Sequence, residues 1–229
     1  MDVFKLEMER RFSSTALLAR QLRYLRMYRR FSRYTMIKRS AFWRNLELAW
    51  RFRHVPGCVI ECGVWRGGMS ASLASVLGLH RRYYLFDSFE GLPPPKEIDG
   101  QAANDWSQGK HSDWFYDNCR AEENTAAEAM ALAGVTSPTL VKGWFDQTLP
   151  GFTPAEPIAL LRLDGDWYDS TMCCLQNLFH HVRCGGVIII DDYFQWDGCT
   201  RAVHDFLSKN NRPEPIRQFK DQIAYIIKR

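Results

Sequence analysis

No part of this chain approaches the roughly 20 consecutive apolar residues needed to cross a bilayer. No apolar leader core follows Met1, so neither a membrane span nor a secretory signal is expected, and the chain is assigned to the cytoplasm. None of the seven cysteines (Cys58, Cys62, Cys119, Cys173, Cys174, Cys184 and Cys199) forms a CxxC pair. Their odd number and their places in apolar segments mark them as reduced, core-filling thiols, not as a disulfide framework or a zinc site. GxGxxG is absent, which disfavours a dinucleotide, and the absence of GxxxxGK[ST] excludes a P-loop. Internal repeats and low-complexity tracts are missing too.

What is present is an ordinary globular composition over 229 residues, enough for one α/β body with a substantial core. The net charge of +4 hides an asymmetry. Residues 1–54 carry 14 Lys/Arg against 4 Asp/Glu, a net +10, while the remainder carries 16 against 22, a net −6. The chain therefore divides into a basic helical arm and lid, residues 1–54, and a mildly acidic body, residues 55–229. The body has no basic face of the kind that binds nucleic acid.

In the arm, residues from about Glu9 to Arg33 are expected to be helical. Leu18, Leu22, Leu25 and Tyr28 recur on one side, and Arg23, Arg26, Arg30 and Arg33 form a second stripe. Such a helix docks on its own body or on a second copy with its arginines solvated, or it lies on an anionic membrane or grips nucleic acid. A second helix is expected from Ser40 to about Phe52, ended by Pro56-Gly57.

The body opens with a strand, Cys58 to Glu61, then Cys62-Gly63-Val64-Trp65-Arg66-Gly67-Gly68, then an Ala/Ser/Leu-rich helix to about Leu77. This strand, glycine turn and helix are the order of a nucleotide-binding α/β unit. A second strand, Tyr83 to Asp87, ends in a carboxylate 24 positions after Gly63, a spacing that suits an acid gripping ribose hydroxyls. A glycine turn without phosphate chemistry, preceded by Glu61, fits a nucleoside with an amino-acid tail, of which S-adenosylmethionine (SAM) is one; the glycines let backbone approach it closely. The plain alternative is an ordinary strand-to-helix turn.

Residues from Gly91 to about Ser112 read as a long loop and those from about Asp113 to Leu132 as a helix stopped by Gly134. A third strand, Thr139 to Lys142, leads into Gly143-Trp144-Phe145-Asp146, where Trp144 and Asp146 either flank a flat ring such as adenine or leave Trp144 in the core. A helix is expected from about Ser170 to His181, with His180 and His181 as caps or surface groups. Another runs from Gly198 to about Ser208. A hairpin, Arg217 to Phe219 with Gln222 to Ile227, closes the chain.

Two further apolar runs, Ile158 to Leu163 and Val187 to Ile190, both end in carboxylates: Asp164, with Asp166 and Asp169 close behind, and the pair Asp191-Asp192. As neighbouring parallel strands they bring Asp164, Asp191 and Asp192 to one carboxyl edge, where open α/β sheets bind ligands. Clustered carboxylates repel unless a cation or shared protons compensate, and a hard divalent ion such as Mg²⁺ is the economical answer. Helix capping and a turn are the alternative use for these aspartates.

Glu61-Cys62-Gly63-Val64-Trp65-Arg66-Gly67-Gly68, Phe86-Asp87-Ser88-Phe89-Glu90-Gly91-Leu92-Pro93, Leu163-Asp164-Gly165-Asp166-Trp167-Tyr168, and Ile190-Asp191-Asp192-Tyr193 with Gly198-Cys199 and Arg201-Ala202-Val203 together resemble the macrocin O-methyltransferase family, over about residues 35 to 210. The family methylates sugar hydroxyls of macrolide and aminocoumarin antibiotics. The resemblance implies a class I SAM-dependent methyltransferase fold: a Rossmann-like, seven-stranded, mostly parallel sheet with an antiparallel C-terminal hairpin. It implies SAM held by Glu61, Gly63, Gly67, Asp87, Ser88, Trp144, Asp146 and Asp164, and Mg²⁺ held by Asp164, Asp191 and Asp192. It implies Asp166 as general base, a glycoside or saccharide acceptor, and a segment near Thr35-Met36 that closes over the site. A homo-oligomer is expected. A catechol or other phenolic acceptor is the alternative on the same fold and metal. The basic arm from Met1 to about Arg33 is the departure from the family pattern.

Overall fold

The central apolar segments of the body, Cys58–Cys62 and Ile158–Leu163, are buried along their whole length, which only a sheet covered by helices on both faces allows. The computed structural model describes residues 14–111, 115–220 and 223–229, with side chains from Leu18 onward. The helix start expected at Glu9, the stretch from Ser112 to Trp114 and the hairpin residue Gln222 lie outside the described residues.

The elements in chain order are α1 (Ser14–Phe31), α2 (Arg39–Arg51), β1 (Cys58–Cys62), α3 (Gly68–Leu77), β2 (Tyr83–Asp87), α4 (Gln101–Gln108), α5 (Glu123–Ala133), β3 (Thr139–Lys142), α6 (Phe145–Thr148), β4 (Ile158–Leu163), α7 (Tyr168–Leu178), β5 (Val182–Ile190), α8 (Asp197–Lys209), β6 (Arg217–Phe219) and β7 (Ile223–Ile227). The sheet order is β3-β2-β1-β4-β5-β7-β6, parallel except for β7, which runs antiparallel to both β5 and β6. The expected seven-stranded sheet with its antiparallel hairpin is therefore present. The chain winds outward from β1 through β2 to β3, then crosses back to β4, so the direction of winding switches between β1 and β4.

Alternate residues of each strand feed two cores. Val59, Leu85, Leu160, Val187 and Ile189 pack beneath α1, α2, α3 and α5. Ile60, Phe86, Leu161, Leu163, Ile188 and Ile190 pack beneath α7 and α8. Among the described residues no helix is long and apolar enough to cross a membrane.

Four expectations need correction. The buried side of α1 is Tyr24, Met27 and Phe31, whereas Leu18 and Leu22 are 57% and 46% exposed. The expected side is thus only half right: Leu18 and Leu22 face solvent, while Leu25 is half-buried and Tyr28 packs against the core, edge-on to Phe42. Nor are the arginines simply solvated. Arg23 donates to the Ser75 carbonyl (2.5 Å) and Arg30 to the Leu132 carbonyl (2.6 Å), so cations meet the C-terminal turns of α3 and α5, where the helix dipoles favour them.

The segment from Gly91 to Ser112 is not all loop, because it contains a 3₁₀ turn (Glu97–Asp99) and α4. Ala103 and Trp106, one turn apart, give α4 its buried side. The helix expected from Asp113 to Leu132 is broken. Tyr116, Asp117, Asn118 and Cys119 all have positive φ, and α5 begins only at Glu123. Asn118 explains the break. Its carbonyl accepts the Leu92 N–H (3.0 Å) and its amide donates to the Leu92 carbonyl (2.9 Å), contacts that a continuous helix would forfeit. Asn and Asp tolerate the left-handed region better than other side chains.

Candidate active site

Hydrogen bonding continues one residue past the strands at the switch point. The Gly63 N–H donates to Phe86 O (2.9 Å), the Asp164 N–H to Cys62 O (2.8 Å) and the Asp191 N–H to Leu163 O (2.9 Å), which lines up Gly63, Asp164 and Asp191 along one edge. Gly63 has φ +88, and a Cβ there would overlap the Asp164 carbonyl, so only glycine fits.

Above this edge lies a cavity of about 840 Å³. Its walls hold Glu61, Gly63, Asp87, Ser88, Trp144, Asp146, Asp164, Asp166, Asp191 and Asp192, which brings together the expected site residues with one exception. Gly67 is not on the wall. It caps α3 with φ +80, and its missing side chain lets α3 approach Ala126 of α5. Thr35, Met36, Ile37 and Lys38, between α1 and α2, also border the cavity.

On the β1–β2 side the carboxylates are well supplied with donors. Asp87 accepts the N–H groups of Val64 (2.7 Å), Trp65 (2.8 Å) and Phe89 (2.7 Å). It therefore organises the glycine turn from below while facing the cavity. Burial raises its pKa and the three N–H groups pull it back. Glu61 accepts from Arg162 (2.6 Å) and from the Ser70 hydroxyl. Ser88 is engaged with the Gly91 carbonyl and the Glu90 N–H, both at 3.1 Å.

On the β4–β5 side one carboxylate oxygen from each of Asp164, Asp191 and Asp192 lies within 4.8 Å of the others. Protein donors orient one oxygen of every member. Arg162 bonds Asp164 Oδ2 (2.7 Å) and pairs with Asp191 Oδ1 (2.7 Å), and the Asp166 N–H donates to Asp192 Oδ2 (3.0 Å). Burial, then the neighbouring carboxylates, push Asp192 well above the usual carboxylate range. Asp164 is pushed up as well, chiefly by burial and against the pull of Arg162. An all-oxygen anionic donor set whose members repel each other fits a hard divalent cation and not a thiophilic one.

Asp166 stands beside this cluster. Its φ is +58, a conformation costing a non-glycine residue about 1–3 kcal/mol, and the surroundings hold it there. The Trp196 indole donates to Asp166 Oδ1 (2.8 Å), while the backbone N–H is taken by Asp192. Burial pushes its pKa to about 6. Behind it Trp196, Trp167 and Trp106 form an edge-to-face cluster, with Trp167 tied to the Pro93 carbonyl (2.8 Å). Asp99 secures the same loop by accepting the N–H groups of Lys96 and Tyr168, each at 2.7 Å. Asp169, exposed, pairs with Lys96 (2.5 Å).

Sequence reasoning missed Arg162, Asn45 and Trp196. Arg162 had a signal: a cation inside a continuous buried run, Ile158 to Leu163, requires buried partners. Asn45 stands on the inner face of α2, and Trp196 follows Asp192 with nothing local to mark it.

A sheet of this order, with a glycine turn and clustered acids at its switch point, defines the class I SAM-dependent methyltransferase architecture. The structure of the O-methyltransferase NovP superposes with a TM-score of 0.70 at 26% identity, covering 85% of this chain and 82% of that one. The chain belongs to the macrocin O-methyltransferase (TylF) family, whose profile matches residues 9–228. It is 36% identical over 179 residues, 72% of its length, to the 8-demethyl-8-(2,3-dimethoxy-alpha-L-rhamnosyl)-tetracenomycin-C 4'-O-methyltransferase of Streptomyces olivaceus. It is 34% identical over 68% of its length to the demethyldecarbamoylnovobiocin O-methyltransferase of Streptomyces niveus. It spans 63% and 60% of those two relatives.

Proposed function

We propose that this protein transfers a methyl group from SAM to a hydroxyl of a sugar on a glycosylated small molecule, with a divalent cation, Mg²⁺, bound at Asp164, Asp191 and Asp192. The carrying observation is the convergence of those three carboxylates beside the Gly63 turn, within one cavity that also holds Asp166. The rhamnosyl group in the name of the Streptomyces olivaceus relative supports a sugar acceptor over a phenolic one.

When bound, SAM supplies the activated methyl group and Mg²⁺ supplies a Lewis acid that makes an acceptor hydroxyl more acidic. The residues do the rest. Gly63 and the backbone around it give the donor close approach to the sheet edge, with Asp87 fixing the turn and Glu61, Ser88, Trp144 and Asp146 lining its side. Asp164, Asp191 and Asp192 would hold the cation. Asp166, its carboxylate turned by Trp196, takes the hydroxyl proton, a role for which a pKa of about 6 is suited near neutral pH. The tryptophan cluster keeps water from that proton transfer, and alignment of the acceptor with the methyl group contributes much of the rate.

The test is SAM turnover on a panel of rhamnosides and catechols, with and without EDTA. Methylated glycoside that disappears with EDTA and returns with added Mg²⁺ is expected. EDTA-resistant turnover overturns the metal assignment, and methylation of catechols alone overturns the acceptor class.

A further inference from the structure

Arg162 lies in the middle of β4, is wholly buried, and spends its guanidinium on four neighbours. Nη1 bonds Glu61 (2.6 Å) and Asp164 (2.7 Å), Nη2 pairs with Asp191 (2.7 Å), and Nε reaches the Asn45 side-chain oxygen (3.4 Å). Asn45, also wholly buried, donates in turn to Asp191 Oδ1 (3.3 Å) and to the Ala41 carbonyl of its own helix (3.1 Å). A planar fork with fixed donor directions is thus wedged between strands β1, β4 and β5, with α2 closing the fourth side.

We propose that Arg162 is the positioning residue of the cation site, a role that rests on the metal reading above. Buried carboxylates brought together without a partner would protonate or swing apart. Arg162 holds Asp164 and Asp191 in place by direct contact. Among the described residues it is the buried positive charge set against Glu61, Asp164 and Asp191; it hydrogen-bonds Asp164 Oδ2 and stands in ion-pair contact with Asp191 Oδ1, and so fixes two of the three carboxylates that converge. Glu61 and Asn45 are its anchors: neither belongs to the cation cluster, yet both set the angle of the guanidinium that holds these two carboxylates. The ammonium of lysine is a point charge that cannot satisfy all these directions together. The same fork reaches Glu61 on the donor side, so the two halves of the cavity share one rigid strut.

The experiment uses the full chain and reads Mn²⁺ and Mg²⁺ binding by calorimetry, SAM binding by calorimetry, and the melting temperature, for the native protein, Arg162→Lys and Asn45→Ala. For Arg162→Lys the cation Kd is expected to rise about 10- to 100-fold, the usual cost of losing a group that orients metal ligands, with the SAM Kd moving less than the cation Kd. For Asn45→Ala, the milder change if Arg162→Lys does not fold, a rise of about threefold or more is expected. A merely structural ion network predicts a lower melting temperature with an unchanged cation Kd in the folded variants, and that result overturns the proposal. A native protein that binds neither cation overturns the metal reading along with it. A native protein that binds one, with both variants matching it, overturns the role of Arg162 alone.

Discussion

The two halves of the cavity use the same side chain in opposite ways. Beside β2, Asp87 is surrounded by three backbone N–H donors at 2.7–2.8 Å and stabilises the turn it faces. Beside β4 and β5, Asp164, Asp166 and Asp192 crowd together and are all held above the usual carboxylate range. A carboxylate with its donors built in is finished at folding. A group of them crowded together repels itself unless a cation or a proton compensates. On the proposed function, the difference separates the half that shapes a binding surface from the half that carries out chemistry.

The sharpest way to break this contrast is Asp166→Asn, which keeps the shape and removes the base. It is expected to lower kcat by about 10²- to 10⁴-fold while leaving the SAM Kd within about threefold, as single-turnover kinetics and calorimetry would show. Asp87→Asn should do the reverse. Losing charge-assisted bonds to the turn costs about 1.5–3 kcal/mol each at most, so the SAM Kd is expected to weaken about tenfold or more and the melting temperature to fall, with the chemical step less affected.

Acidity probes the same division. As the proposed base, Asp166 would accept a proton only when ionised, and its pKa is raised to about 6, so kcat/KM should fall as pH drops through about 6 and level off above it. A profile flat down to pH 5 would remove Asp166 from that role. The smallest effect concerns neither half. Arg30→Ala, which deletes a cation from the end of α5, should cost less than about 1 kcal/mol in denaturant melts and leave turnover unchanged.

Much of this was legible in the chain because the signals were local. The runs Cys58 to Glu61, Tyr83 to Asp87 and Ile158 to Leu163 are short, mostly apolar and end in or just before a carboxylate, and each became a strand with nearly those bounds. Their shared direction brought the terminal carboxylates to one edge without any further instruction. What escaped was decided by partners far along the chain. Asn118 abandons a helix for Leu92, 26 positions away, and Arg162 finds Glu61 across 101. In α1 the pattern of leucines marked the buried side only in part, since tertiary packing selected the aromatic side for burial.

The docking of α1 bears on attempts to build hybrids. Tyr24, Met27 and Phe31 sit in the same apolar cluster as Leu73, Leu77 and Met130. Exchanging the segment ahead of Thr35 between relatives, as if it were a detachable specificity tag, would strip that greasy seam and the cations closing two helix ends. Shuffling should therefore move α1 together with α3 and α5, or redesign all three contact surfaces at once.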